Sequence, residues 1–413
     1  MNYILSPLPL FVLSFFACVA NLSADDWPQI LGPNRNGRAN GETLLEKWPA
    51  GGPEKIWSRP CGTGFAGVAV SDDQVYLFHR MRDRDLLECL EAATGQLVWK
   101  QDFQAVYRGG FSSDTGPRCV PLVSGGHVYL YGAGGTLRKL ARKDGKQVWS
   151  RNLFAELRAD EGYFGAGSSP ILVDGVLVVI VGGKKGGIVG INEKGETSWK
   201  TEPDTASYSS PVALTFQEKK CVACVSKYRL KIVGVASGEV LLDQPFGERG
   251  PTVNAAAPLV FENRLFVTAA YRIGARMISL ESRETVWEND TSLSSQYTTS
   301  LFDRGYLYGC NGREDFGNGS LRSVRAADGR VMWEEKRSGI CHLIQVGQRA
   351  LVWNIEGVLK LVELNPERYV ELASAEVFSQ NSKSLPALSN GRLFVKANGD
   401  QQPGKLVCLK VGK

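Results

Sequence analysis

The sequence predicts an all-β protein, an eight-bladed propeller of four-stranded blades, and three observations lead to this fold class. The first is a Gly-x-x-x-Trp pattern whose tryptophan position returns every 43 to 50 residues, a period typical of propeller blades and of some helical repeats. The second is that each repeat holds short apolar runs joined by tight turns, without the sustained 3.6-residue period that helical repeats require. The third is a pair of incomplete repeats, one at each end of the chain.

The repeated pattern pairs a glycine with an aromatic position four residues later. The tryptophans are Trp99, Trp149, Trp199, Trp287 and Trp333, with Leu242 in the fourth copy. The glycines are Gly95, Gly145, Gly195, Gly238 and Gly329, with Arg283 in the fifth copy. We expect the glycine to form a turn with a positive φ and the indole to pack between neighbouring blades. The pattern therefore predicts architecture rather than chemistry.

Each repeat opens with a β-hairpin, of which "SSPILVDGVLVVIVGG" (168–183) is the clearest copy. Asp-Gly, Gly-Gly and Asn-Gly pairs supply the positive φ that tight hairpin turns need. Eight such units begin near Phe65, Arg118, Gly167, Tyr208, Ala255, Tyr297, Gly339 and Lys383. At about 45 residues each, these units have the length of four short strands.

The two incomplete repeats predict how the ring closes. The last unit ends in "KLVCLKVGK" (405–413) without a tryptophan strand, and "PEKIWSRP" (53–60) is a tryptophan strand without a preceding hairpin. We expect the strand around Trp57 to complete the eighth blade, because closure of the ring hides both exposed edges. Residues 53–413 are thus predicted to form the propeller.

The N-terminal residues differ in composition from the rest. Residues 1–24 are apolar, lack Lys and Arg, and end in small residues before "DDWPQ", which predicts a secretory signal peptide and a periplasmic or secreted protein. An uncleaved anchor and a lipid anchor on Cys18 are the less favoured alternatives. Residues 25–52 are expected to form an extended arm. No other apolar run is long enough to span a membrane.

Charge and cysteine content exclude other classes of function. The net charge is +5, from 48 basic and 43 acidic residues mixed along the chain, so no basic face for nucleic acid is expected. Cys221 and Cys224 have the spacing of a redox motif but lie in an alternating run that reads as a strand. Residues i and i+3 of a strand point to opposite faces, about 10 Å apart, so we expect packing cysteines rather than a disulfide.

The pattern resembles the tryptophan-docking motif of the pyrroloquinoline-quinone (PQQ) repeat family of eight-bladed propellers, over nearly the whole chain after the predicted signal. "DWPQILGPNRNG" (26–37) also resembles the N-terminal arm of a secreted branch of this family. The resemblance implies one of two roles. Quinoprotein dehydrogenases hold PQQ and calcium at the channel, whereas BamB-type assembly factors bind other proteins and carry no cofactor. The alanine and aspartate positions of the family motif are not kept here.

The dehydrogenase role implies adjacent cysteines, a tryptophan on the channel floor and a set of calcium ligands. The sequence contains no Cys-Cys pair, and the tryptophans outside docking positions are Trp27 and Trp48 in the arm and Trp353 in a second strand. No matching Glu, Asn and Asp set is found, and the three histidines lack ligand spacing. The sequence thus favours a BamB-type role without catalysis, cofactor or metal. A PQQ- and calcium-dependent alcohol or sugar dehydrogenase is the alternative.

The channel mouth is the candidate binding site, because the first residues of the inner strands face the axis. Arg118, Tyr208, Tyr297 and Lys383 occupy such positions, and His342 replaces the proline of its blade. Tyr163, Asn254 and Asp114 lie on loops just before inner strands. We expect this mouth, on a monomer, to bind a protein or a glycan of the cell envelope. A mouth whose aromatic side chains only meet solvent is the alternative.

Overall fold

Thirty-two strands in eight four-stranded antiparallel sheets make up almost all of the regular structure in the described residues. The structure, a computed structural model, describes residues 26–111, 113–398 and 403–413, so the predicted signal peptide lies outside it. The first strands of most successive blades contact one another around a central axis. The predicted eight-bladed propeller is therefore confirmed.

The chain enters the ring through β1 (Glu54–Cys61) and then builds the blades in order. The strands of blades 1 and 2 are β2 (Ala69–Ser71), β3 (Gln74–Met81), β4 (Arg84–Glu91), β5 (Leu97–Gln104), β6 (Leu122–Ser124), β7 (His127–Tyr131), β8 (Thr136–Ala141) and β9 (Gln147–Asn152). The strands of blades 3 and 4 are β10 (Ile171–Val173), β11 (Val176–Gly183), β12 (Gly186–Ile191), β13 (Thr197–Lys200), β14 (Val212–Phe216), β15 (Lys219–Val225), β16 (Arg229–Gly234) and β17 (Val240–Pro245).

The second half of the ring repeats the same plan. The strands of blades 5 and 6 are β18 (Leu259–Phe261), β19 (Arg264–Ala269), β20 (Gly274–Ser279), β21 (Thr285–Asn289), β22 (Leu301–Asp303), β23 (Tyr306–Asn311), β24 (Ser320–Arg325) and β25 (Val331–Glu335). Blades 7 and 8 add β26 (Cys341–Val346), β27 (Arg349–Asn354), β28 (Val358–Glu363), β29 (Val370–Glu376), β30 (Ala387–Ser389), β31 (Arg392–Ala397) and β32 (Gly404–Lys410). Short helical segments are α1 (Leu153–Leu157) and the 3₁₀ turns Glu314–Phe316 and Lys336–Ser338. No helix in the described part of the chain is long and apolar enough to cross a membrane.

The first strand of the chain closes the ring. The eighth sheet has the order β1-β32-β31-β30, and Trp57 lies opposite Cys408. The outer strand of this blade thus comes from the N-terminal side of the chain and its other strands from the C-terminal end. This confirms the closure predicted from the two incomplete repeats.

Strand direction gives the two faces of the ring different loops. The loops that lead from an outer strand to the next inner strand share one face with the loops between second and third strands. We call this the mouth face. The hairpins between first and second strands, and between third and fourth strands, lie on the opposite face, which we call the base face.

The glycine and tryptophan of the repeat meet between neighbouring blades. Each of six indole nitrogens donates a hydrogen bond to a backbone carbonyl of the following blade: Trp57 to Ala92, Trp99 to Arg142, Trp149 to Glu193, Trp199 to Val235, Trp287 to Ala326 and Trp333 to Asn365. The five repeat glycines have φ between 70° and 87°, and each lies against the indole of the preceding blade. A Cβ added at Gly238 would come within 2.6 Å of the Trp199 ring.

The arm residues before β1 pack on the base face. Isolated bridges join Trp27 to Val70, Arg38 to Gln345 and Leu44 to Gly412. Between them the buried side chain of Arg35 donates to three backbone carbonyls just before the inner strands β10 and β14, those of Ser169, Pro170 and Pro211. Burial lowers the pKa of Arg35 to about 9, so the guanidinium is still a cation at neutral pH. The arm therefore closes the base end of the channel.

All eight cysteines of the described residues are buried and free. Cys221 packs in a cluster with Leu214 and Leu265, and Cys224 packs in a different cluster with Ile180 and Val178. The two thiols thus face opposite sides of their sheet, as the alternation of the strand predicts.

Candidate functional site

The channel holds a cavity of about 730 Å³ on the side of the mouth face. Its floor includes Ile30 from the arm and Leu385 from blade 8. Seven aromatic side chains line it: Phe65, Phe111, Tyr163, Phe164, Tyr208, Tyr271 and Tyr297. We call this space the axial cavity. The arm thus supplies part of the floor, and the loops that line the cavity lie on the mouth face.

One side of the axial cavity is an aromatic wall made of Phe111, Tyr163, Phe164 and Tyr208. Phe111 contacts Tyr163 and Phe164 edge-on at centroid distances of 5.7 and 5.9 Å, and Phe164 contacts Tyr208 at 5.5 Å. The Tyr208 hydroxyl accepts hydrogen bonds from the backbone N–H groups of Tyr163 and Phe164 at 3.1 and 3.0 Å. Burial raises the pKa of Tyr208 to about 12, so it is a neutral anchor that fixes this wall.

The other side is a charged wall formed by the β23–β24 loop and blade 8. Lys383 forms an ion pair with Glu314 at 2.6 Å, and the Tyr297 hydroxyl donates to the same carboxylate at 3.0 Å. Burial and the nearby Glu314 charge raise the pKa of Tyr297 well above its usual value. Arg313 pairs with Asp315. Each charge of this wall is therefore matched by an opposite charge.

Arg118 is held deep in the wall rather than offered to solvent. Its guanidinium donates to the backbone carbonyls of Gly116 and Asp114 and lies 3.7 Å from the Asp114 carboxylate. It also lies 5.2 Å from the centroid of the Phe65 ring, which Lys383 approaches to 5.3 Å. Burial lowers the pKa of Arg118. Of its three nitrogens, only Nε has no hydrogen-bond partner within the described residues. The Arg118 side chain therefore mainly fixes the loop that holds Asp114 and Gly116.

His342 reaches the cavity as a buried, neutral side chain. Its Nε2 donates to the Lys383 carbonyl at 3.1 Å, and its ring lies 6.0 Å from that of Tyr297. Burial lowers the pKa of His342 to about 4. At neutral pH this imidazole therefore positions the Lys383 backbone and carries no charge.

The structure brings six of the eight sequence candidates together on the cavity wall: Arg118, Tyr163, Tyr208, Tyr297, His342 and Lys383. Asn254 and Asp114 are not among the lining residues. Asn254 is buried and donates to the carbonyls of Ser226 and Lys227. Asp114 is buried and accepts from the N–H groups of Gly64 and Gly116.

Sequence reasoning missed several residues on loops. Phe111, Phe164 and Tyr271 line the cavity, as does the run Arg313–Asp315. Of these, Phe111 carried a signal, because a phenylalanine in the glycine-rich stretch "YRGGFSS" (107–113) cannot pack within a strand. The run Arg313–Asp315 on the β23–β24 loop carried no such signal in the sequence, since only the position of this loop in the ring brings it to the axis.

The residues present do not fit a calcium-bound quinone. Within the described ranges, no group of three or more His, Cys, Asp or Glu side chains is placed to hold a metal ion. The wall carboxylates, Glu314 and Asp315, already pair with Lys383 and Arg313, whereas calcium prefers several free oxygen ligands. The cysteines are buried and dispersed among the blades, so they supply no stacking surface.

Comparison with known proteins gives the same fold and a family. A family model described as outer membrane protein assembly factor BamB matches residues 49–159 and 83–335. BamB of Salmonella typhimurium is 25% identical over 299 residues, which cover 70% of this chain and 72% of that protein. BamB of Burkholderia pseudomallei is 26% identical over 239 residues, 53% of this chain and 56% of that protein.

Solved structures agree in fold at low identity. BamB from Moraxella catarrhalis superposes with a TM-score of 0.64 at 14% identity, covering 86% of this chain and 99% of that one. A quinohemoprotein alcohol dehydrogenase from Pseudomonas putida superposes with a TM-score of 0.56 at 14% identity, covering 94% of this chain and 80% of that one. At such identities the likeness concerns the fold alone, but the family model spans more than half of the sequence. The chain therefore belongs to the family of the outer membrane protein assembly factor BamB.

Proposed function

We propose that this chain is a binding and scaffolding propeller that engages a protein partner of the cell envelope through its mouth face, without a catalytic cofactor. The observation that carries the proposal is the placement of exposed aromatic side chains. Among the described residues the exposed large aromatics are Phe111, Phe316 and Tyr228, with 74%, 68% and 36% of their surface accessible. All three lie on mouth-face loops, and such aromatic surface marks protein-binding sites.

The family supports a protein partner. The relatives are named as assembly factors of outer membrane proteins, a role in which proteins meet other proteins. We further propose that the chain is periplasmic or secreted, with residues 1–24 as signal, 25–52 as arm and 53–413 as a monomeric propeller. A glycan partner has less support, because most polar groups of the cavity wall are already engaged with one another.

A site-specific crosslinking experiment tests the proposal. A photoreactive amino acid is placed at Phe111 or Phe316, and as matched controls at Leu97 or Val286, which are exposed on outer strands. After irradiation in the native envelope, one protein should be captured from both mouth positions and from neither control. Equal capture from all four positions, or none from the mouth, would contradict the proposal.

The alternative function is tested on the purified parent protein. Purified parent protein is given PQQ and calcium, and dye-linked oxidation of alcohols and sugars is measured. We expect no oxidation above the rate without protein. Oxidation by the parent would make this chain a dehydrogenase and overturn the scaffold assignment.

A further inference from the structure

Beside the axial cavity lies a second cavity of about 490 Å³, which we call the outer cavity. It lies between the β19–β20 loop (270–273) and the β23–β24 loop (312–319). Tyr271 and Arg313 line both cavities. The two cavities are therefore neighbours on the mouth face, one at the axis and one nearer the rim, with Tyr271 and Arg313 in the wall of both.

The outer cavity differs from the axial cavity in charge. Arg272, Arg313 and Arg322 line it, against the single carboxylate of Asp290. Arg313 lies between two rings, with its guanidinium 4.2 Å from the Tyr271 centroid and 4.3 Å from that of Phe316. This stacking leaves only the edge of the planar group to donate hydrogen bonds, and part of that edge already donates to Asp315. Three of the four charged side chains that line the outer cavity are therefore cationic.

One arginine of this set is available to a ligand. Arg313 pairs with Asp315, and Arg322 pairs with Glu334 while donating to the carbonyls of Thr291 and Ser292. Arg272 is exposed, and within the described residues it forms no ion pair or side-chain hydrogen bond. Its φ of 64° places it in a conformation that is uncommon for a residue with a side chain. Carboxylates bind arginine in a bidentate geometry.

The axial cavity offers apolar contact and few free polar groups. The Tyr208 hydroxyl is engaged with two backbone N–H groups, and that of Tyr297 with Glu314. Gln296 donates to the Tyr271 hydroxyl and accepts from the Glu314 N–H. A sugar would leave many hydroxyl groups without partners here, and each buried hydroxyl without a partner weakens binding. A large apolar side chain would instead pack against the aromatic wall.

We propose that the two cavities bind a single extended peptide segment of the partner, with a large apolar side chain in the axial cavity and acidic side chains beside Arg272 in the outer cavity. This proposal rests on the proposed function and names the chemistry of the segment that the mouth recognises. The apolar residue supplies most of the affinity, since buried aromatic anchors dominate such interfaces. The acidic residues set the direction of the segment across the mouth.

Fluorescence anisotropy with defined peptides tests this proposal. The probe is a fluorescein-labelled peptide of sequence Gly-Phe-Gly-Asp-Glu-Asp-Gly. One comparison peptide has Gly in place of Phe, and another has Asn and Gln in place of the acidic residues. We expect the probe to bind the parent in a saturable manner and each comparison peptide to bind about tenfold more weakly or worse, which corresponds to 1.4 kcal/mol.

Two protein variants locate the binding, each with a matched control. Arg272→Gln and Phe111→Ala should each lower the affinity for the probe at least about tenfold. Lys194→Gln, an exposed cation on the base face, and Leu97→Ala, an exposed apolar residue on an outer strand, should leave binding unchanged. All four positions are exposed, so the folded fraction is expected to match that of the parent.

Besides failure of the probe to bind, three results would overturn the proposal. The first is equal binding of all three peptides, and the second is probe binding that Arg272→Gln and Phe111→Ala leave intact. The third is saturable binding of a sulfated dextran that Arg272→Gln abolishes and the probe does not displace, which would assign the site to an anionic glycan. If the probe does not bind the parent protein while crosslinking from Phe111 still captures a protein, the proposed scaffold function stands. Only the proposed chemistry of the bound peptide is then wrong.

Discussion

At the scale of single residues, the repeat position needs a glycine for two reasons that can be tested separately. One is its positive φ, and the other is the space that the neighbouring indole occupies. Gly238 has a φ of 74° and lies against Trp199, whereas Gly175, in the β10–β11 turn, has a φ of 79° and no neighbouring atom within 4 Å of an added Cβ. An alanine at either position meets the left-handed backbone strain of about 1–2 kcal/mol. Only at Gly238 does it also collide with an indole.

We therefore predict that Gly238→Ala destabilises the protein by about 1–3 kcal/mol more than Gly175→Ala, which is the usual penalty for overpacking. Urea unfolding of the two variants and the parent, followed by far-UV circular dichroism, measures the difference. Equal destabilisation would mean that the glycine serves only the turn. The interpretation of the repeat as a docking pair would then be wrong.

His342 makes stability depend on pH. Its pKa is about 4 in the folded protein, against 6.5 as its ordinary value. Between these two values the unfolded chain binds more protons than the folded chain, so stability falls as the pH falls from 6.5 to 4. At 1.36 kcal/mol per pKa unit, this loss approaches about 3 kcal/mol.

His342→Gln keeps a hydrogen-bond donor and removes the titration. We predict that the parent loses about 2–3 kcal/mol more free energy of unfolding than this variant between pH 7 and pH 4.5. Titratable groups that both proteins share contribute equally to both pH profiles, so their contributions cancel in the difference. One of them is His79, since burial lowers the pKa of that residue as well. Parallel pH profiles for the two proteins would show that His342 is accessible to protons in the folded state.

At the scale of structural elements, the arm is joined to the ring by a buried cation. Arg35 satisfies the carbonyls of Ser169, Pro170 and Pro211, and buried acceptors left unpaired cost about 1–3 kcal/mol each. Arg38 of the same arm is partly exposed and makes one 3.5 Å ion pair with Asp303. Exposed ion pairs of this kind contribute little to stability.

We predict that Arg35→Met detaches the arm, whereas Arg38→Met leaves it in place. Chymotrypsin, which cuts after large apolar residues, should cleave the Arg35→Met arm at Trp27, Leu31 or Leu44 at least about tenfold faster than the parent arm, since local opening rises tenfold for each 1.4 kcal/mol lost. The propeller should stay intact in both variants. Rapid cleavage in Arg38→Met, or slow cleavage in both, would contradict the assignment of Arg35 as the main contact.

The blades were predictable from the sequence, and the cavity was predictable only in part. Strand alternation, turn glycines and the orphan strand at Trp57 each reflect a local or periodic requirement that a single sequence displays. Inner-strand positions such as Tyr208 and Lys383 follow from the same register. The charged wall does not, because Arg313 and Glu314 lie on a loop between second and third strands, whose length and course no periodicity governs.

At the scale of the whole molecule, the ring closes where strands from opposite ends of the chain pair in the eighth blade, with the Leu44–Gly412 bridge of the arm beside them. In the eighth blade β1 is antiparallel to β32, with Glu54 opposite Lys410. At the other junctions the chain itself passes from one blade to the next, so separation of blades cannot open the ring there. The β1–β32 pairing is therefore the place where we expect unfolding of the ring to begin.

A disulfide across this pairing tests whether ring opening limits stability. Both Glu54 and Lys410 are exposed, so Glu54→Cys with Lys410→Cys adds the bridge without disturbing the core. Because it encloses almost the whole propeller in one loop, the oxidised variant should gain about 2–4 kcal/mol. Calorimetry with and without reductant measures the gain, and each single-cysteine variant is the control. An oxidised variant that melts like its reduced form would show that unfolding starts within a blade, and that the β1–β32 pairing completes the fold without limiting its stability.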